Sequence, residues 1–386
     1  MVSLSTMQSS SVPLPPGTAS AGDGGEAPAD DLELLASPGM AGWLVDNQVS
    51  LVFGTPPMKL WLVGVDGTGE LAVFDRSLDK VMGIAAEGAE RLWVATRFEL
   101  WRFENVLGPG ERTADGHDRL YVPRQMLPVG DVNVHDVGID ATGRDLWVNT
   151  RFGCLASTSE SVSFVPRWWP PFLDGPRQGD RCHLNGLAMR DGRAAFVTCV
   201  SRSTEVDGWR DGRRDQGCVL DVATGEVVVT GLSMPHSPRW HRDDLWVANA
   251  GTGELGRVDV DGGRFEPVAF APGFLRGLSL VGDRFAVVGS SKPRRGDIYS
   301  GLPLDDVLEE RGLVPHLGIF VIDLERGEPV EWLLIEGPVR ELFDVCALTG
   351  ARRPAAIGLV TDEIRREITF DATWPVVAPL AGAGRG

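Results

Sequence analysis

The chain has 386 residues, 43% of them hydrophobic, and a formal net charge of −17. That is apolar material enough for one large β fold or two ordinary domains. The acidic balance argues against nucleic acid, which needs a basic footprint, and no apolar run approaches the ~18 residues of a membrane span.

Residues 1–38 are rich in Ser, Pro, Gly and Ala and contain no Lys or Arg. They read as a disordered leader rather than a secretory signal. The five cysteines are odd in number and lack C-x-x-C spacing, which fits reduced thiols in a cytoplasmic protein. From 39 to 370 short apolar runs alternate with Gly, Asp and Asn turns such as VDGTGE and DATGRD, the signature of a single all-β domain. Residues 371–386 read as a flexible tail.

Strand candidates SLVFGT, KLWLVGV and LAVFDR fall within residues 50–75. A repeat then recurs every ~40–60 residues, the regime of propeller blades. Its copies are VMGIAAEGAERLWVAT, VHDVGIDATGRDLWVNT, HLNGLAMRDGRAAFVTC, HSPRWHRDDLWVANA, LRGLSLVGDRFAVVGSS and ELFDVCALTGARRPAAIGLV. The last copy runs out near the end of the chain, so the strands of residues 50–75 are expected to complete its blade and close the ring. The expectation is a β-propeller of six four-stranded blades, with seven as the alternative. Trp93, Trp147 and Trp246 are expected to pack between blades. Residues 304–312 have helical spacing. Gly251-Thr252-Gly253-Glu254-Leu255-Gly256 matches a dinucleotide fingerprint, but a strand rather than a helix follows it, so it is read as a turn.

Three of the six histidines, His135, His183 and His236, stand at one place in successive copies. Aligned across the repeat, the ring at that place reads Lys80, His135, His183, His236, Phe274 and Glu341, with a one-residue slip at His236. Neutral imidazoles converging on a channel suit a transition metal (iron, copper, zinc or manganese) rather than calcium. The expected metal set is His135, His183, His236 and Glu341, with Glu341, Asp136 and Asp344 as catalytic carboxylates. A metal-free acid–base site and a hydrogen-bonded channel plug remain open for the same ring. Arg97, Arg151, Arg276, Asn185 and Arg239 are candidates for holding a small anionic substrate. The long insertions 201–217 and 290–316 are expected over the same mouth, bringing Arg210, Arg213, Arg214, Arg294 and Arg295. Trp168 and Trp169, just ahead of His183, either wall the mouth or pack. The leading expectation is a metal-dependent oxidoreductase. A non-redox hydrolase, lactonase or lyase on the same ring, and a non-catalytic binding module, are the alternatives.

At HLNGLA, MPHSPRWH and LWVANAGTGEL the chain resembles a bacterial family of uncharacterised propellers, over about residues 40–365. That resemblance implies the fold and supplies no activity. A more distant likeness, to gluconolactonase and regucalcin-like six-bladed propellers, implies a divalent-ion set that Glu341, Asn185 and Asp344 could supply. The three histidines depart from it. Histidines from successive blades also resemble, by analogy, the iron ring of carotenoid-cleaving oxygenases.

Overall fold

The structure, a computed structural model, describes residues 32–56, 59–292, 299–359 and 362–370. The chain opens with strand β1 (Glu33–Ala36) and helix α1 (Met40–Asp46). The first blade holds β2 (Val49–Thr55), β3 (Lys59–Val65) and β4 (Leu71–Ser77). The second holds β5 (Gly83–Glu87), β6 (Arg91–Ala95), β7 (Glu99–Asn105) and β8 (Arg119–Pro128). The third holds β9 (Val134–Ile139), β10 (Asp145–Asn149), β11 (Cys154–Ser157) and β12 (Val165–Trp168). In the fourth are β13 (Leu184–Arg190), β14 (Arg193–Cys199), β15 (Gly217–Asp221) and β16 (Val227–Leu232). In the fifth are β17 (Pro235–His241), β18 (Asp244–Asn249), β19 (Glu254–Asp259) and β20 (Arg264–Phe270). The sixth has β21 (Phe274–Val281), β22 (Phe285–Ser291), helix α2 (Pro303–Arg311), β23 (Gly318–Asp323) and β24 (Glu328–Glu336). Strands β25 (Asp344–Thr349) and β26 (Pro354–Ala356) end the fold.

Each blade is an antiparallel meander, and the inner strands β5, β9, β13, β17, β21 and β25 neighbour one another around a closed ring. Closure follows the expected route: β25 pairs with β2 from Val49↔Thr349 to Gly54↔Asp344, so both ends of the chain share the first blade. The all-β, six-bladed propeller expected from the repeat is therefore what forms. Helix α2 covers the stretch with helical spacing, and the Gly251–Gly256 motif is a turn that runs into strand β19 at Glu254.

Two edge strands lie outside the repeat reading. Residues 33–36, placed in the leader by composition, add to β24. The PAA of the sixth copy continues no blade of its own, because β2 already occupies the place beside β25. It runs parallel to β8 instead, where Ala355 and Ile357 bury against Leu120 and Val122. Each addition covers a sheet edge. Residues 1–31 of the leader and the tail 371–386 lie outside the described residues.

Packing explains the Trp repeat. Large apolar clusters fill the blade interfaces; one joins Trp93 and Ala95 of the second blade to Val137 and Trp147 of the third. Trp246 packs against β21 and β22 of the next blade. Outer strands alternate instead, as in β4, where every second residue faces out. The hairpin turns between strands are held by aspartates: Asp66 accepts from Thr68 N–H (2.8 Å) and Asp140 from Thr142 N–H (2.8 Å). The glycines that follow, Gly69 (φ 92) and Gly143 (φ 80), take the left-handed turn position.

Candidate active site at the channel mouth

Two local features of the inner strands build the mouth. The chain turns into several inner strands through a left-handed residue: Lys80 (φ 48), Asn133 (φ 59), His183 (φ 49) and Met234 (φ 45). Such a conformation is unfavourable for a residue with a Cβ and needs local support. Immediately beyond, the ladder to the second strand slips in four of the six blades, across 134–137, 184–186, 236–239 and 276–278. Bulges of this kind bend a strand and re-aim its side chains. His135, Asn185, His236 and Arg276 sit at these slips.

The imidazoles do converge. The His135 ring lies 5.0 Å from that of His183 and 6.5 Å from that of His236, centroid to centroid. His183 and His236 are buried, at 7% and 4% exposure. His183 reaches the group from the residue ahead of β13, and His135 and His236 from within β9 and β17. The slip thus belongs to His183 rather than to His236.

Hydrogen bonding fixes which ring nitrogen carries the proton. His135 Nδ1 lies 3.0 Å from the Asn133 carbonyl and 2.8 Å from Thr150 Oγ1. The Thr150 hydroxyl donates its single hydrogen to the Leu184 carbonyl (2.7 Å), so it accepts from His135. His236 Nδ1 donates to the Met234 carbonyl (2.8 Å). His183 Nδ1 donates to Asp180 Oδ2 (2.5 Å), while Asp180 Oδ1 accepts the His183 backbone N–H (3.0 Å) and supports its left-handed backbone. Each of the three rings therefore donates from Nδ1 and leaves Nε2 as the nitrogen for a further partner. The amide of Asn185, whose oxygen is taken by Thr198 (2.6 Å), points its Nδ2 at His236 Nε2 across 3.4 Å.

Burial first, and then neighbouring positive charge, holds two of these rings neutral. His135 lies well below the usual imidazole range through desolvation, with His183 and Arg276 adding to it. His236 does likewise through desolvation and Arg276.

The two insertions each lay an aromatic side chain on this group. Trp209, 1% exposed, packs on His183 with centroids 4.2 Å apart. Tyr299 packs on Phe274 (4.6 Å), which meets His236 edge-on (5.3 Å). Beside them Arg276 lies over the Phe343 ring at 4.4 Å, with Tyr299 Oη at 3.4 Å and Glu341 Oε2 at 3.9 Å. Tyr299 donates to the same carboxylate (3.4 Å). Lys80 Nζ reaches Asn133 Oδ1 (3.4 Å), and desolvation lowers its pKa.

Several side chains expected at the site have other employment. Asp136, Arg239 and Asp344 form a buried ion cluster inside the ring. Arg239 Nη1 bonds Asp136 Oδ2 (2.7 Å) and Nη2 stands 3.7 Å from Asp344 Oδ1. Asp136 also accepts from Leu187 N–H (3.0 Å), and Asp344 from Ile84 N–H (2.8 Å), each in the following blade. Burial pushes the Asp344 carboxyl up to about 7 despite Arg239. These three residues clamp the inner strands; the geometry gives Asp136 and Asp344 no reacting partner and commits Arg239 to them rather than to a substrate. Arg97 and Arg151 are exposed at the rim, one over Phe98 (5.6 Å) and the other on the Asp131 carbonyl (2.9 Å). Arg210, Arg213 and Arg214 are likewise partnered: Arg210 with Asp207, Arg213 with the Ser300 carbonyl, Arg214 with Asp306. Trp168 ends β12 and Trp169 is exposed. Arg294 and Arg295 lie outside the described residues.

Nor is the expected metal set assembled. Among the described residues no group of three or more His, Cys, Asp or Glu side chains is placed to hold a metal ion. Glu341 stands with Arg276 and Tyr299 rather than with the imidazoles. The gluconolactonase-like set is not joined either, since Asn185 faces His236 and Asp344 faces Arg239. Sequence reasoning missed Asp180, Trp209 and Tyr299. Asp180 had a local signal, three residues ahead of His183 in GDRCH; Tyr299 is one of only two tyrosines.

Among the described residues no helix is long and apolar enough to cross a membrane. A comparison with curated proteins finds no match. Solved structures similar to the chain include a nidogen/laminin complex, at 11% identity and TM-score 0.46 over 78% of this chain and 99% of that one. A protein of unknown function from Bacteroides caccae matches at 12% identity and TM-score 0.35, over 78% and 98%. A catalytically inactive virginiamycin B lyase from Staphylococcus aureus with quinupristin matches at 9% identity and TM-score 0.37, over 80% and 100%. A family model does match, over residues 38–357, and the chain belongs to that family, described as a domain of unknown function, DUF4915.

Proposed function

We propose that the chain is an enzyme that performs acid–base chemistry on a small molecule at the histidine mouth, in the hydrolase or lyase class. One observation carries this: His183 donates Nδ1–H to the Asp180 carboxylate at 2.5 Å and keeps its Nε2 lone pair for a reacting proton. A carboxylate so placed fixes the tautomer and stabilises the imidazolium that forms when Nε2 takes a proton. Trp209, packed on the ring, keeps water from one side of it. His183 Nε2 accepts a proton from the substrate, or from a water that attacks it, and returns that proton to the leaving group. His135 and His236, held neutral, present lone pairs that accept hydrogen bonds from substrate N–H or O–H groups.

The test is turnover in a small-molecule extract followed by mass spectrometry. Wild type depletes a compound; His183→Gln abolishes that depletion, and Asp180→Asn slows it by roughly 10³–10⁴-fold through loss of the tautomer. Equal depletion by wild type and His183→Gln overturns the proposal.

A second reading, a metal-dependent oxidoreductase, is favoured by the shared donation of all three Nδ1–H groups to oxygen, the protonation pattern of metal-ligating histidines. It requires the imidazoles to draw closer than they stand. Bound iron or copper would supply redox chemistry there. Elemental analysis of tag-free protein tests it: stoichiometric metal that vanishes in His135→Ala and His183→Ala supports it, and metal-free protein with unchanged turnover sinks it.

A further inference from the structure

We propose that Arg276 anchors a carboxylate subsite in the mouth, so that the substrate class of this protein is a small organic carboxylate with a planar body. The substrate role rests on the acid–base reading above; the binding of the anion does not. Arg276 is 3% exposed, yet no carboxylate meets it within hydrogen-bond distance among the described residues. Glu341 stops at 3.9 Å and the Tyr299 hydroxyl at 3.4 Å, both long for a guanidinium bond. Buried guanidinium groups are costly without direct partners, and the same channel shows how one is satisfied: Arg239 has Asp136 at 2.7 Å.

The charge balance nearby points the same way. Lys80 feels Arg276 as a like charge and Glu341 as an opposite one, which puts a second cation near the Arg276–Glu341 pair in a chain whose net charge is −17. A guanidinium presents a planar fork that matches a carboxylate through two parallel bonds. The side chains around it are flat: Phe343 under Arg276, then Phe274 and Tyr299. A planar acid held by the fork would lie against these rings, Phe274 of which meets His236 edge-on.

The experiment is a titration of the full chain with benzoate, using benzamide as the neutral isostere and inorganic phosphate as the competing oxyanion, followed by ligand-detected NMR. Benzoate is expected to bind saturably and more tightly than benzamide. Arg276→Met should weaken it at least about tenfold, whereas Arg242→Met, at an exposed arginine, should leave it unchanged. Because Arg276→Met removes a buried group, Glu341→Gln serves as a second variant: loss of the competing carboxylate is expected to tighten benzoate binding. His183→Gln should bind benzoate as wild type does, which separates this proposal from the base chemistry. Benzoate binding no better than benzamide, wild-type affinity in Arg276→Met, or unchanged affinity in Glu341→Gln would overturn the proposal. Phosphate binding in preference to benzoate would overturn its assignment to a carboxylate.

Discussion

His236 shows how burial and hydrogen bonding set the chemistry of a single side chain. Desolvation, with Arg276 nearby, places its folded-state pKa well below the ordinary 6.5. Between those two values the unfolded chain holds a proton that the folded chain does not. The neutral ring is therefore no liability above about pH 6.5 and costs stability as pH falls below it. Urea unfolding of wild type and His236→Gln across this range is expected to show the wild type losing ground by up to about 1.4 kcal/mol per pH unit. Parallel profiles would mean that the ring is not held neutral. Asp344, whose raised pKa works in the opposite sense between about pH 4 and 7, is common to both proteins and cancels. At this scale the histidines and Arg276 were legible from their places in the repeat. Asp180, Trp209 and Tyr299 were not, because they lie outside the repeated strands and reach the site only through the fold.

At the level of the strand, the inner ring is stitched by side chains that reach the following blade. Asp136 takes Leu187 N–H and Asp344 takes Ile84 N–H; these two acceptor sites are equivalent, since Leu187 and Ile84 pair with Val197 and Val94 of their second strands. Ser237 Oγ does the same for Gly277 N–H (2.9 Å). Arg239 ties the two aspartates together across the ring. Asp136→Ala removes its closest partner and leaves the guanidinium with the Leu187, Pro238 and Leu278 carbonyls and with Asp344 as its one carboxylate, at 3.7 Å. The expected loss is about 3–5 kcal/mol by denaturant unfolding, and a cost below about 1 kcal/mol would contradict the clamp. The sequence pattern placed Asp136 and Asp344 next to the site because one adjoins His135 and the other follows Glu341 at the corresponding place of the sixth copy. Neighbours along a strand point to opposite faces, and bulges change which way, so their role was not legible. By ladder register Asn185 stands level with His135 and His236, so His183 joins the group from two residues earlier.

The repeat determined most of the molecule. Six copies, and spare strands at the amino-terminal side, were enough to foresee the closure of β25 on β2. The strands β1 and β26 were not legible, because an edge strand is specified by the sheet it covers more than by its own short sequence. Closure is what brings residues from the third, fourth and fifth blades to one point, with the insertions of the fourth and sixth laid across them. A cavity of about 390 Å³ opens at the other end of the channel, among Ile84, Leu187, Leu278 and Trp240, with Arg239 between it and the histidines. The two mouths differ in kind: at one, Glu87, His241 and Ser279 join apolar side chains around a spoken-for arginine, and the other gathers imidazole lone pairs beside an under-partnered one. The acid–base account depends on those lone pairs lying on Nε2. Long-range nitrogen–proton NMR of the imidazoles, assigned by single His→Gln variants, reads this directly at neutral pH. His135, His183 and His236 are expected to be neutral Nδ1–H tautomers; an Nε2–H tautomer at His183 would contradict the account.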